Sequence, residues 1–331
     1  MIYYRIHDGL QSDGKIKHKI LDKNNNVVAD TEVLDYIKKL TIPPAYKDVK
    51  IFYEKNPKIL FEGFDDKGRK QQIYSESHKK KSSTKKFCSL IEFGKVIPKI
   101  ESDITRIIGS SRLTKNKLIA LIIQIVILCG FRIGNIKYQK LYNSFGISNI
   151  TKDHITIKDN EMHIKFIGKK GVLNECVIID SILIAELKKL IIHKSPSDYV
   201  FTYKLKDDDT DINISTLDIN KWLKEYHVDI TSKMFRTWDT NIMFIDFMRN
   251  KEDPNKLTKS NRKKLVLESL KEISCQINNT PNICKKEYLH IDLWTMFIME
   301  PKKYKKYFNN CISAKTCFVN YLTKKCKPIK V

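Results

Sequence analysis

Residues 118 to 131 read Leu-Ile-Ala-Leu-Ile-Ile-Gln-Ile-Val-Ile-Leu-Cys-Gly-Phe, apolar all round except for Gln124. A helix of that kind has no polar face to show to water, so other elements must wrap it. Its 14 residues fall short of the ~20 needed to span a bilayer. It is expected as the buried core helix, 116–129, of a soluble domain, and the stretch starting Met1-Ile2-Tyr3-Tyr4-Arg5 lacks the apolar run of a signal peptide, so none is expected.

The flanking pattern is mixed. Residues 87–109 are amphipathic, and 261–277 place Val266, Leu270, Ile273 and Ile277 on one helical face. Further helices are expected at Ser181–Leu190, Ser215–Tyr226 and Thr237–Phe247. Between them, His154–Ile157, Met162–Phe166 and Glu175–Ile179 alternate as strands, with turns at Asp159-Asn160 and Gly168-Lys169-Lys170-Gly171, which predicts a three-stranded meander. In the first eighty residues Val49–Tyr53, Ile59–Phe64 and Gln71–Tyr74 read as strands. The last two form a hairpin over Asp65-Asp66-Lys67-Gly68, and a helix at Asp30–Leu40 carries Val33, Tyr36 and Ile37 on one side. The polar, basic run 78–86 reads as a linker. The Lys-rich tail after Lys315 is a basic helix or disordered. The expected class is α+β: a small β-rich N-terminal domain, 1–82, and a larger, mainly helical domain, 83–331, built around the three-stranded sheet.

Charge narrows the partners. With 61 Lys and Arg against 38 Asp and Glu, the formal net charge is +23, which points to a polyanion, either nucleic acid or an anionic membrane. An AT-rich genome, which inflates Lys, Ile and Asn, competes as the explanation. The arginines are more selective. There are eight (5, 69, 106, 112, 132, 236, 249 and 262) in a chain that otherwise uses Lys, so a retained Arg is expected where its planar, permanently charged fork is needed. The eight cysteines form no C-x-x-C pair and no zinc-type cluster. Cys129 and Cys176, in apolar runs, read as small core residues, and free thiols point to a reducing compartment. P-loop, Rossmann and zincin motifs are absent, which argues against ATP-driven work on DNA.

Breaking a phosphodiester without a metal needs an aimed nucleophile, positive charge for the non-bridging oxygens and a proton for the leaving oxygen. Arg132 follows the apolar helix, where it could equally be a charge on the helix C-terminus. Lys169 lies at a hairpin tip between glycines, an ordinary turn composition. Arg236 stands just ahead of a helix, where a surface role is the plain alternative. Tyr288 is one of fifteen tyrosines, most of which would be packing residues.

In this order, Arg132, Lys169, Arg236 and Tyr288 resemble the catalytic set of the type IB DNA topoisomerases, above all those of poxviruses and other large DNA viruses. Ile42-Pro43-Pro44-Ala45-Tyr46-Lys47-Asp48-Val49 and Gly63-x-Asp65-x-Lys67-Gly68-Arg69-Lys70-Gln71 resemble that family's N-terminal signature. The resemblance covers nearly the whole chain. It implies a catalytic domain of the tyrosine recombinase and topoisomerase IB type and relaxation of supercoiled duplex DNA without ATP, metal or cofactor. Tyr288 would form a 3′-phosphotyrosyl bond, Arg132 and Arg236 would bind the non-bridging oxygens, and Lys169, with Arg132 assisting, would protonate the leaving 5′-oxygen. The fifth catalytic position, usually His, is Asn279, which can donate a hydrogen bond but carries no charge; His290 has the wrong context to replace it. Lys67, Arg69, Gln71, Gln72 and Tyr74 on the hairpin, with Lys137, Tyr138 and Lys233, would contact DNA; Gln72 stands where poxvirus enzymes have an aromatic residue and Asn135 where the family has a basic one. A monomer clamping duplex DNA, with no membrane partner, is implied. If the source is viral, its place is the virion and the cytoplasmic replication site. Two other readings are a tyrosine recombinase, sharing the Arg, Lys, Arg, Tyr order, and a DNA-binding or packaging protein whose site has decayed.

Overall fold

The computed structural model describes residues 1–10, 13, 16–205 and 208–326. They form two units, divided between Lys86 and Phe87.

In the first unit, β1 (Ile2–Leu10), β2 (Ile16–Leu21), β3 (Lys47–Phe52), β4 (Ile59–Phe64) and β5 (Lys70–Tyr74) make one antiparallel sheet in the order β2-β1-β3-β4-β5. Helix α1 (Thr31–Lys39) starts where the Asp30 carboxylate accepts from Glu32 N and Val33 N, satisfying donors that have no partner within the helix. Its apolar stripe, Val33 and Ile37, packs with Tyr3, Val49, Ile51 and Phe61 into the unit's core. Arg5 in β1 is 7% exposed, and its guanidinium donates to Ile42 O, Pro43 O and Tyr46 O at 3.2, 2.7 and 3.0 Å. The signature segment 42–46 is therefore held by one of the eight arginines.

The second unit is mostly helical. Its elements are α3 (Leu90–Ile108), α4 (Lys115–Cys129), α5 (Ile136–Tyr142), β6 (Ile155–Lys158), β7 (Glu161–Ile167), β8 (Leu173–Ile178), α6 (Ser181–Ile191), β9 (Thr202–Leu205), β10 (Asp208–Asn213), α7 (Thr216–Lys224), α8 (Lys233–Arg249), α9 (Lys259–Gln276), the single turn α10 (Pro281–Ile283), a π-type turn (Cys284–Tyr288), α11 (Ile291–Met299), α12 (Pro301–Phe308) and α13 (Ala314–Lys325). Before these, α2 (Glu76–Cys88) runs through the division between the units.

The expected central helix is α4. Leu118 to Ile123, Ile125 and Val126 are at most 2% exposed. Thr114 caps its start and Gly130, at φ +61°, ends it. Its one buried charge, Lys117, meets Glu186 at 2.7 Å and donates to Ser110 O, the pairing that burial of an ammonium demands. Gly94 in α3 touches the ring of Trp238, where a Cβ would stand 2.5 Å from it. The meander has the order β6-β7-β8, all antiparallel.

Two expectations are corrected and one left open is decided. Residues 78–86 lie inside α2 and not in a linker. The run has no apolar anchor before Phe87, its one buried residue, but Lys and Glu are good helix formers and an i,i+3 pair, Glu76 with Lys79 at 2.8 Å, supports the first turn. Of the two readings of the tail after Lys315, the helix holds for residues 316–325, all within α13; residues 327–331 lie outside the described residues. Cys129 and Cys176 are joined in a disulfide, as are Cys88–Cys326 and Cys311–Cys317, leaving Cys275 and Cys284 free. Their separations of 47, 238 and 6 residues form no spacing motif. The pairings remove the ground on which a reducing compartment was expected. No helix among the described residues is long and apolar enough to cross a membrane.

Candidate active site

Four segments from distant parts of the second unit meet. The first is the end of α4. Gly130 leaves the helix with a left-handed backbone, and a Cβ there would lie 2.8 Å from Gln276 O, so the chain passes directly against the end of α9. Two residues on comes Arg132, half-buried, whose carbonyl accepts from Ile147 N at 2.9 Å.

The second is α8. It begins at Lys233, earlier than expected, so Arg236 lies in its first turns and is 4% exposed. The surface reading of Arg236 is corrected: its guanidinium donates to Gly130 O through Nη1 and to Ile277 O through Nη2 at 2.6 Å. Arg236 thus closes the end of α4 onto the end of α9. Its Nε is buried without a partner among the described residues. Burial, then the neighbouring Arg132 charge, lower its pKa to about 10.

The π-type turn supplies the phenol. Tyr288 is half-buried, Arg132 Nη2 donates to its Oη at 3.2 Å, and the Arg236 guanidinium carbon lies 5.3 Å from its ring centroid. Burial alone would push the phenol up, but the charges of Arg236 and Arg132 outweigh it and hold Tyr288 below the usual tyrosine range. Buried Asn241, one and a half turns past Arg236 on α8, fixes the backbone on both sides: its Nδ2 donates to Tyr288 O at 2.9 Å and its Oδ1 accepts from His290 N at 2.8 Å. Sequence reasoning missed Asn241, since an Asn inside a helix carries no signal of a partner 47 residues away. His290 is occupied elsewhere. Its ring packs by edge contacts on Phe87, Phe318 and Tyr321, and Nδ1 accepts from Asp292 N at 3.2 Å.

The turn after α9 is the fourth segment. Asn279 has a buried Nδ2 with no partner among the described residues, an uncommon state for a buried amide donor. Buried Cys284 sits in the π-type turn, its thiol pushed up to about 11 by burial, which leaves it a poor nucleophile.

The structure thus gathers Arg132, Arg236 and Tyr288, with Asn279 two residues from an Arg236 acceptor. Lys169 stands apart, exposed on the β7–β8 turn, with no hydrogen bond or ion pair among the described residues. The turn itself is well braced. Gly168 N donates to Val172 O at 2.8 Å, and the buried Asn174 amide lies so close under Gly168 that a Cβ there would meet it at 2.4 Å. Two guanidinium groups at one phenol form a receptor for an anionic oxygen and lower the cost of the phenolate. Among the described residues no group of three or more His, Cys, Asp or Glu could hold a metal ion.

A profile described as the catalytic core of eukaryotic DNA topoisomerase I matches residues 75–312, which include all four segments. The chain belongs to the type IB DNA topoisomerase family. A second profile, the N-terminal domain of bacterial DNA topoisomerase IB, matches residues 17–65. This topoisomerase is 32% identical to DNA topoisomerase 1B of Acanthamoeba polyphaga mimivirus over 273 residues, 80% of each chain. It is 27% identical over 320 residues, 94% of each chain, to DNA topoisomerase I of Monkeypox virus and to DNA topoisomerase 1B of Vaccinia virus (strain Copenhagen).

The expected DNA-contact residues of the topoisomerase fall in two places. On the β4–β5 hairpin the Asp65 carboxylate accepts from Lys67 N, Arg69 N, Arg69 Nε and Gln71 Nε2 at 2.8–3.0 Å. Hydrogen bonds from Arg69 first, then from the others, hold that carboxyl down at about 2. Gln72 and Tyr74 share the other strand face, linked to each other at 2.9 Å, with Gln72 also donating to Glu62 at 2.9 Å. In the second unit, Lys137 and Tyr138 open α5 with exposed side chains, while Asn135 accepts from both of their backbone N–H groups as the cap. Lys233 is exposed at the start of α8.

Proposed function

We propose that this topoisomerase relaxes supercoiled duplex DNA through Tyr288. The phenol oxygen attacks a backbone phosphorus and gives up its proton to solvent. The bond from phosphorus to the 5′-oxygen breaks, and that oxygen takes a proton from the Lys169 ammonium. Arg132 and Arg236 bind the non-bridging oxygens as charge develops, and Asn279 adds a neutral hydrogen-bond donor. The severed end swivels, and the 5′-hydroxyl then displaces the tyrosine, so the phosphodiester energy is held in the covalent intermediate and no ATP is consumed. The observation that carries this reading is the 3.2 Å hydrogen bond from Arg132 to the Tyr288 hydroxyl beside the buried Arg236.

The exposed turn bearing Lys169 closes on the phosphate once DNA is bound, a kind of tightening common in catalytic sites. Residues 1–82 act as a DNA-binding domain, with Lys67, Arg69, Gln71, Gln72 and Tyr74 in a groove. Residues 83–331 act as the catalytic domain, with the fold shared with tyrosine recombinases; helices about a three-stranded sheet support that assignment. Lys137, Tyr138 and Lys233 contact DNA near the cut. The protein acts as a monomer, and its viral relatives support a role in the virion and at the cytoplasmic replication site.

Labelled duplex DNA quenched with detergent tests the mechanism. Wild type should trap a covalent protein–DNA adduct, and Tyr288→Phe should trap none. An adduct that persists in Tyr288→Phe rules out this nucleophile. Supercoiled plasmid incubated without ATP should relax; strand exchange between paired sites without relaxation would instead mean a recombinase.

A further inference from the structure

The arginines and the tyrosine are tied together by side chains and carbonyls, yet Lys169 touches none of them. Some part of the structure must set where its hairpin stands. Asn278 joins the two. It follows α9 with a left-handed backbone, φ +49°, a conformation Asn tolerates better than most residues. Its amide spans two elements. Nδ2 donates to Cys129 O, at the end of α4, at 3.2 Å, and Oδ1 accepts from Glu175 N, in β8, at 3.1 Å.

Each contact borders the catalytic set. Cys129 precedes Gly130, whose carbonyl receives Arg236, and Ile277, just before Asn278, supplies the other carbonyl that receives Arg236. Asn279, with its unpartnered donor, comes next. Glu175 lies on β8, the edge strand of the meander, four residues after the Lys169–Gly171 turn, and pairs in register with Lys165 on β7. An edge N–H has no strand neighbour, and here it is taken up by Asn278. A second tie spans the same gap, the disulfide between Cys129, whose carbonyl receives the amide, and Cys176, the residue after Glu175.

We infer that Asn278 is a positioning residue that couples the Lys169 hairpin to the arginine–tyrosine site, so that the general acid is held in register with the nucleophile. The inference rests on the reading of Lys169 as the acid. A plain alternative is that Asn278 serves only the left-handed turn. Asn278→Gly separates the two, because glycine keeps that backbone and removes both amide contacts.

The test measures single-turnover cleavage under reducing conditions, which open the disulfide and leave the amide as the tie. Two duplexes are compared, one with an ordinary scissile phosphate and one in which the leaving 5′-oxygen is replaced by sulfur. A thiolate departs without a proton, so cleavage of the second substrate bypasses the acid. Lys169→Ala is the benchmark and should be slow on oxygen and restored on sulfur. Asn278→Gly should fall by about tenfold or more on oxygen, within the range general acid catalysis supplies, and return to near the wild-type rate on sulfur. Asn278→Asp, which keeps the turn and the acceptor for Glu175 but loses the donor to Cys129, should show the same pattern to a smaller degree and carries the test if the glycine variant does not fold. Equal slowing on both substrates in the folded variants, or no slowing on either, overturns the inference. Failure of sulfur to restore Lys169→Ala would instead overturn the role given to Lys169.

Discussion

A guanidinium in water exchanges its partners freely; Arg236 cannot. Its two terminal nitrogens are committed to the carbonyls of Gly130 and Ile277, so its charge is fixed beside Tyr288 before any DNA arrives. This is preorganisation: the cost of orienting the donor is met by folding and not during the reaction. The same helix holds Asp239, whose carboxyl burial pushes up to about 7, with the Lys315 and Arg236 charges opposing. The sign of its effect follows from linkage. The fold favours the neutral acid, so no penalty exists below the ordinary carboxylate pKa, and the penalty grows as pH rises from there through about 7. Asp239→Asn removes the ionisation while keeping the shape. It is expected to raise stability by on the order of 2 kcal/mol at pH 8, with little change near pH 4. Thermal unfolding of both proteins at the two pH values checks this, and an equal effect at both would show that the ionised form carries no penalty.

At the scale of elements, the site is made where helices end. The termini of α4 and α9 approach so closely that a Cβ on Gly130 would meet Gln276 O at 2.8 Å and Ile277 Cα at 3.0 Å, and the backbone there is left-handed as well. Gly130→Ala must therefore strain the turn and part the two ends, spreading the carbonyls that hold Arg236. The cost is expected at about 1–3 kcal/mol from backbone strain, with a loss of cleavage larger than the loss of folded protein accounts for. Comparing the denaturation midpoint with the single-turnover rate measured well below it separates the two. Intact cleavage in a destabilised variant would mean that Arg236 does not depend on this junction. The elements were also the most legible level in the sequence. The apolar run of α4, the one-faced pattern of α9 and the alternation of β7 are local periodicities, and each element formed where its period predicted. The basic run in α2 misled because a segment without an apolar face can still be helical when its residues are good helix formers.

For the whole molecule the surplus of charge remains, +23 over 331 residues. If it reflected genome composition alone, binding to duplex DNA would depend weakly on salt. If the basic side chains contact phosphates, each contact releases counterions, and six to ten of them would lower affinity by roughly 10³–10⁵ between 50 and 200 mM salt. Equilibrium binding of Tyr288→Phe to a duplex across that range gives the slope, and a shallow slope would assign the charge to composition. Two levels of information separate at this scale. The residues alone determined the kinds of element, the mixed helix-and-strand class and, through motif order, the family, because periodicity and short motifs are written in neighbours along the chain. Only the tertiary structure decided that Arg236 is buried and not on the surface, that six cysteines pair, that Asn241 grips the backbone around Tyr288 and that Asn278 bridges α4 to β8. Those outcomes join residues 41 to 238 positions apart and, in Cys311–Cys317, residues that share no spacing motif. Contacts at such distances are set by how whole elements pack, and no local pattern in the chain encodes them.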